Sequence, residues 1–253
     1  MTLALEFPPL SRLVEWKSFF LSGTPLAVNK VVLVMWLAAA LTFLFFWVAG
    51  RQGSLVPTGV QNAAESVIDF IHNGVILQTM GPEGLPWAPF LTTVFCFILV
   101  ANIFEIVPFV QMPANARMAI PFFLALVVWV SYNTVGIRKH GPWGYLKSIM
   151  FPPGVPVFVL PLFAVINFVS DIFVRPFALA VRLFANMLAG HLLLATFAVL
   201  TAALFRTTIV GAAVPGALLV ALTGFEVLVS VLQAFIFTIL TAVFIGLAQQ
   251  TEH

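Results

Sequence analysis

The chain has 253 residues, 62% of them hydrophobic and only 8% charged, with a net charge of +2 and a mean hydropathy of +1.11. A water-facing surface needs far more charge than this, so a soluble domain is excluded, and apolar runs of about 18 residues or more recur as they do in polytopic membrane proteins. The basic residues are scattered rather than blocked, which points away from nucleic acid, and the single cysteine, Cys96, lies in an apolar run and reads as a small core residue.

In chain order, residues 1–30 read as an extramembrane segment whose start, "MTLALEFPPLSRLVEW", has neither a secretory nor a transit-peptide pattern. Residues 31–50 form the first span, between Lys30 and Arg51. Over 59–78 the polar residues Gln61, Glu65, Asp69 and His72 recur every three to four positions, opposite Val60, Ala64, Val67, Ile71 and Val75. That spacing predicts an amphipathic helix lying on the membrane surface. After the loop "GPEGLPWAP", a helical hairpin is expected over 88–137, with spans at Phe90–Val107, ended by Pro108, and Ile120–Ile137. "RKHGPWGYLKSIMFPPGVP" returns the chain to an interface, with Trp143 and Tyr145 as anchors.

The remainder, 161–250, reads as a pair of long helices. Pro161–Phe205 as one helix is roughly 67 Å long and Pro215–Gln249 roughly 52 Å, against a hydrocarbon core of about 30 Å. Steep tilt and a hairpin through "RTTIVGAAVPG" reconcile those lengths with a bilayer. The fold class is therefore an all-α polytopic membrane protein, with five membrane-embedded helices plus one surface helix. Arg138, Lys139 and Lys147 mark their loop as cytoplasmic and place the C-terminus inside, although Arg12, Lys17 and Lys30 oppose this.

The chemistry sits in "VRPFALAVRLFANMLAGHLLL", Val174–Leu194. At about 100° per residue, Asp171, Arg175, Ala178, Ala185, Asn186 and Ala189 all fall within roughly 60° of Arg182, and His191 falls opposite. A guanidinium in lipid keeps its charge and needs a carboxylate or water. Asp171 can pair with Arg175 at a four-residue spacing, which leaves none on this chain clearly assigned to Arg182. The small-residue stripe admits a close neighbour, so the missing carboxylate is expected on another subunit. Pairing of Arg182 with Glu105 or Glu226 as helix glue is the alternative. Glu226, Ser230 and Gln233 share one helix face, as do Asn102 and Glu105. With His191 they form a candidate buried titratable cluster, suited to passing protons. His72 and His140 read as solvated, and the four histidines lack metal-ligand spacing, so no metal and no cofactor is expected. With no phosphate loop and no nucleophile–base pair, no catalytic site is expected on this chain either.

These residues resemble subunit a of the F-type ATP synthase, the stator half of its membrane proton channel. "LAVRLFANMLAGHLLL" is similar to that family's arginine helix and "LQAFIFTILTAVF" to its C-terminal helix, while "VPTGVQNAAESVIDFI" and "NIFEIVPF" fit its earlier signatures. The resemblance implies five spans and a surface helix, the two tilted helices curving around a ring of c subunits. It also implies contact with the peripheral-stalk b subunits, the rest of the complex and the bilayer. It puts Arg182 at the family's essential arginine and Asn186 and Gln233 at polar channel positions. His191 and Glu226 fall on a His/Glu pair of positions, and Asn102 and Glu105 on the span before the first half-channel. Many relatives carry a carboxylate near Phe168 on the exit side; here the nearest is Asp171, with Arg175 beside it. The implied role is two offset half-channels reaching the ring carboxylate, with Arg182 between them. A bacterial plasma membrane is favoured over an organellar one. The competing readings are a proton-coupled carrier that binds an anion at Arg182, which would show repeats or broken helices, and a scaffold, which needs no titratable pair.

Overall fold

The computed structural model describes residues 29–107, 115, 117–151, 158–205 and 208–249. Most of the expected extramembrane segment at 1–30 lies outside the described residues. Among those described, all regular structure is helical: α1 (Lys30–Gln52), α2 (Val60–Ile71), α3 (Ala88–Ile103), α4 (Ala119–Met150), α5 (Leu160–Val169), α6 (Arg175–Phe205) and α7 (Ile209–Gln249). Among the described residues, five stretches are long and apolar enough to cross a membrane: Lys30–Arg51, Pro82–Ile103, Ala119–Met150, Leu160–Phe205 and Val210–Gln249.

Local chemistry sets the element ends. Asn29 starts α1, its Oδ1 accepting the Val32 N–H at 3.1 Å as an N-cap does. The α2 helix runs on through a wide π turn, His72–Ile76, to Thr79. Ala64, Ile71 and Val75 on its apolar face are buried, as the spacing predicts. Gln61, expected on the polar face, is buried as well, because its amide bonds Ser54 and Glu65. The second span ends at Ile103 rather than Val107. Glu105 and Ile106 lie in turns that bond back three residues, consistent with Pro108 disfavouring α conformation just before it.

The third span also departs from expectation. Helix continues past Ile137, breaks at Gly141 (φ 72°, ψ 162°), and resumes to Met150. That backbone conformation is open essentially to glycine alone. The break folds the short second piece back so that the Tyr145 ring covers Gly136. Tyr145 is therefore buried rather than an interface anchor, whereas Trp143 remains 82% exposed. A Cβ at Gly136 would overlap the Tyr145 ring. Gly136→Ala is accordingly expected to destabilise the protein by about 1–3 kcal/mol, the usual effect of overpacking. Thermal unfolding of the purified subunit measures it, and an unchanged midpoint would sink the close-packing account.

The two long segments are helical throughout, with no loop inside either. Leu160–Val169, a π turn at Ser170–Val174 and Arg175–Phe205 run on continuously, and α7 is a single helix of 41 residues. The connection is shorter than "RTTIVGAAVPG", since Ile209 to Gly216 is already helical.

The chain forms two compact units, each with its own packing. One takes the described residues up to Trp47, Cys96–Arg117 and Phe184–Ala234. Its core joins Val34 and Ala38 of α1 to Ala101 and Phe104. In it α6 and α7 pack as an antiparallel hairpin, because Thr201 approaches Gly216 and Gly190 approaches Glu226. The other takes Val48–Phe95, Met118–Leu183 and Phe235 onward. There Phe70 packs against Phe95 and Phe235, and Tyr132 against Phe244 at 5.8 Å.

Polarity is inverted relative to a soluble protein. Trp36, Phe43, Phe123, Leu162, Val220 and Leu228 point outward, while Asn102, Glu105, Glu226 and Gln233 are buried. The hydroxyls of Thr42, Thr93, Ser131, Thr201, Thr223 and Thr241 donate to the carbonyl four residues back, at 2.7–2.8 Å.

Candidate functional site

In the first unit the polar residues picked out in sequence gather below the surface. Asn102, at the end of α3, is fully buried, and Glu105 in the following turn is 3% exposed. His191 of α6 brings its Nδ1 to 3.9 Å from Glu105 Oε1. Among the described residues the carboxylate nearest the imidazole is thus that of Glu105. Glu226 of α7 is buried and lies against Gly190, so close that a Cβ there would sit 2.5 Å from its Oε1. Only glycine at 190 leaves the carboxylate that room. Ser230 and Gln233, one and two turns farther along α7, are buried on the same face as Glu226.

Several polar atoms of this unit are buried with no hydrogen-bond partner among the described residues: both Glu105 oxygens, Asn102 Nδ2, Asn186 Nδ2 and Gln233 Nε2. Each such group costs about 1–3 kcal/mol if left unsatisfied, and ordered water is the usual remedy. A carboxylate and imidazole 3.9 Å apart, among amides suited to water, is a chain that can hand protons along.

Sequence reading missed Asn115. It is fully buried and donates its Nδ2 to Asn102 Oδ1 at 2.7 Å. A lone asparagine in "MPANAR" between two spans carries the ordinary signal of a turn residue, and nothing in its spacing marks it as buried.

The second unit holds the arginines. Asp171 and Arg175 form the expected ion pair, with Asp171 8% exposed, and the Arg175 guanidinium lies over the Phe244 ring at 5.2 Å from its centroid. They line an open cavity of about 310 Å³ together with Tyr145, Ser148, Asn167 and Ser170. Phe168, where relatives are expected to carry a carboxylate, is not among the cavity's lining residues.

Arg182 is exposed and takes no part in the Asp171–Arg175 ion pair or in the His191–Glu105 contact. Along α6 its neighbours Ala178, Ala185 and Ala189 are exposed too, whereas Leu179, Leu183 and Met187 are buried. The helix therefore turns an alanine-and-arginine face outward and packs its bulk inward. Asp171 is buried and does not share that exposed face, contrary to the wheel drawn at constant pitch, because it lies in the π turn Ser170–Val174 that precedes α6. Among the described residues no three of His, Cys, Asp and Glu gather as a metal site.

Comparison with known proteins agrees over almost the whole length. The family model described as "ATP synthase A chain" matches residues 32–246. The chain is similar to ATP synthase subunit a of Parafrankia sp. (strain EAN1pec), 41% identical over 94% of this chain and 82% of the relative. It is similar to those of Rhodococcus erythropolis, 39% identical over 98% and 89%, and Maricaulis maris, 38% identical over 91% and 92%.

Proposed function

This chain belongs to the ATP synthase subunit a family, and from that premise we propose that it is the proton-conducting stator subunit of a rotary F-type ATP synthase. Its partners are the ring of c subunits, the peripheral-stalk b subunits and the rest of the complex. Its place is a bacterial plasma membrane, in line with the bacterial relatives.

In this reading protons enter through one half-channel lined by Asn102, Glu105, Asn186, His191, Glu226, Ser230 and Gln233. They leave through another near Asp171 and Arg175. Each half-channel reaches a ring carboxylate from a different side of the membrane. Arg182 holds the passing carboxylate ionised by its permanent charge and bars direct transfer between the half-channels. A ring site must be neutral to face lipid and charged to pass the arginine, so proton flow and rotation are tied together. The long α6 and α7 tilt well beyond the ~20° usual for membrane helices, which lets one face follow the ring.

The observation that carries this reading is the outward face of α6, where an exposed, permanently charged Arg182 stands among exposed alanines. In lipid that face would be costly, and against a neighbour bearing a carboxylate it is complementary. The test is disulfide formation between Ala178→Cys or Ala185→Cys and a cysteine placed next to the membrane carboxylate of the small apolar subunit that travels with this chain. Rapid cross-linking at both positions supports the assignment. Failure at both, with cross-linking instead from a lipid-side control such as Leu228→Cys, refutes it.

A further inference from the structure

We propose that Tyr132 is a positioning residue that holds the π turn at Ser170–Val174 and thereby sets the register between Asp171 and Arg182. This rests on the reading of Arg182 given above and deepens it.

In an α-helix each N–H bonds the carbonyl four residues back, but here the Arg175 N–H reaches the Ser170 carbonyl, five back. The turn thus holds one residue more than an α turn. Residues before it are offset by about 100° from where an unbroken helix would place them relative to those after it. Asp171 precedes Arg182 by eleven positions, which in an unbroken helix puts the two about 20° apart on one face. The observed faces differ, with Asp171 buried at 8% exposure and Arg182 exposed. The extra residue turns Asp171 away from the face of Arg182, while Arg175, beyond the turn, keeps its α-helical register with it.

Such wide turns are rare and occur mostly as single turns at functional places, so what supports one is informative. Here the support is visible. The Tyr132 hydroxyl donates to the Asp171 main-chain carbonyl at 2.7 Å, from a side chain only 1% exposed. The Tyr132 ring lies against Phe244, and the Arg175 guanidinium stacks over that same Phe244 ring. Both ends of the turn are therefore tied to the same two aromatic rings. The hydroxyl acts on the turn through the Asp171 main-chain carbonyl.

The test uses the complete reconstituted complex, with Cys96→Ser removing the native thiol and single nitroxide labels scanned over residues 164–180. Oxygen accessibility oscillates with the helical period, and the parent should show a one-residue jump in phase at 170–174. In Tyr132→Phe the jump should vanish and proton-driven ATP synthesis should fall about fivefold, the worth of one buried hydrogen bond. A jump that persists in Tyr132→Phe overturns the role of the hydroxyl, and a jump that vanishes while synthesis stays normal overturns the importance of the register. Should Tyr132→Phe not assemble, deletion of Ile172 removes the extra residue with Tyr132 in place. It should abolish both the jump and synthesis, and retained synthesis refutes the proposal. The accessibility readout does not depend on the rotary role, so failure of that role, seen as intact coupling in an Arg182 variant, is distinguishable from failure of this inference.

Discussion

Arg182→Ala is expected to abolish proton-coupled ATP synthesis and to open a passive proton leak through the assembled membrane sector. The guanidinium is exposed on α6 with alanines around it and takes no part in the ion pairs among the described residues, so its removal breaks none of them. Insertion and assembly should survive, since a neutral side chain is about 2.5–3.5 kcal/mol easier to place at mid-membrane than an arginine. What is lost is the fixed charge that keeps a passing carboxylate ionised. Without it, a protonated ring site can shuttle between half-channels with no net rotation. Arg182→Lys keeps a charge but not the planar, permanently protonated fork, so synthesis should drop severely without the full leak. Proton permeability of vesicles, with and without a reagent that blocks the ring carboxylate, measures both effects. Arg182→Ala vesicles that assemble fully and still couple proton flow to synthesis would show that this mechanism is wrong.

The buried cluster yields the second large effect. His191→Ala and Glu226→Ala should each slow proton-driven synthesis by about a hundredfold, the lower end of what positioned acid–base groups contribute. Glu105→Ala should match them, because its carboxylate lies 3.9 Å from His191 Nδ1. The complex should still assemble: neither Glu105 oxygen has a hydrogen-bond partner among the described residues, so its loss orphans no group there. Residues that work in one relay fail together, so the His191→Ala/Glu226→Ala double variant should be no slower than the slower single one. Initial rates of synthesis under an imposed proton gradient decide this. Normal flux in both single variants removes the pair from the pathway, and strictly multiplicative losses place the two groups on independent routes.

Spans, surface helix and long helix pair were legible because each rests on a pattern local to its own segment. Apolar length marks Lys30–Arg51 and Leu160–Phe205, and a period of three to four marks Val60–Ile71. The misplaced features share a different cause. Tyr145 reads as an interface anchor until the Gly141 break folds it onto Gly136, ten residues of chain being too long a range for periodicity to see. Asp171 reads as a companion of Arg182 because a helical wheel assumes constant pitch, and nothing in "SDIFV" announces a turn with an extra residue. In the site, Asn102, Glu105, Glu226, Ser230 and Gln233 were legible because a polar side chain in an apolar helix is itself the signal. Asn115 was not, because in the sequence it lies between the apolar spans, where that contrast does not exist.

The hydroxyls of Thr42, Thr93, Ser131, Thr201, Thr223 and Thr241, each closed onto its own helix, bear on how far this sequence can drift. A hydroxyl already satisfied within its helix presents mainly its carbon atoms to the surroundings. Exchanges among threonine, valine and alanine there leave no neighbouring helix with a broken bond. Hydropathy counted residue by residue therefore understates how readily these helices dissolve in lipid. Such positions are free to change in descendants, while the buried carboxylates, amides and imidazole of the cluster have no equivalent way to hide their polarity and must be kept or replaced in concert.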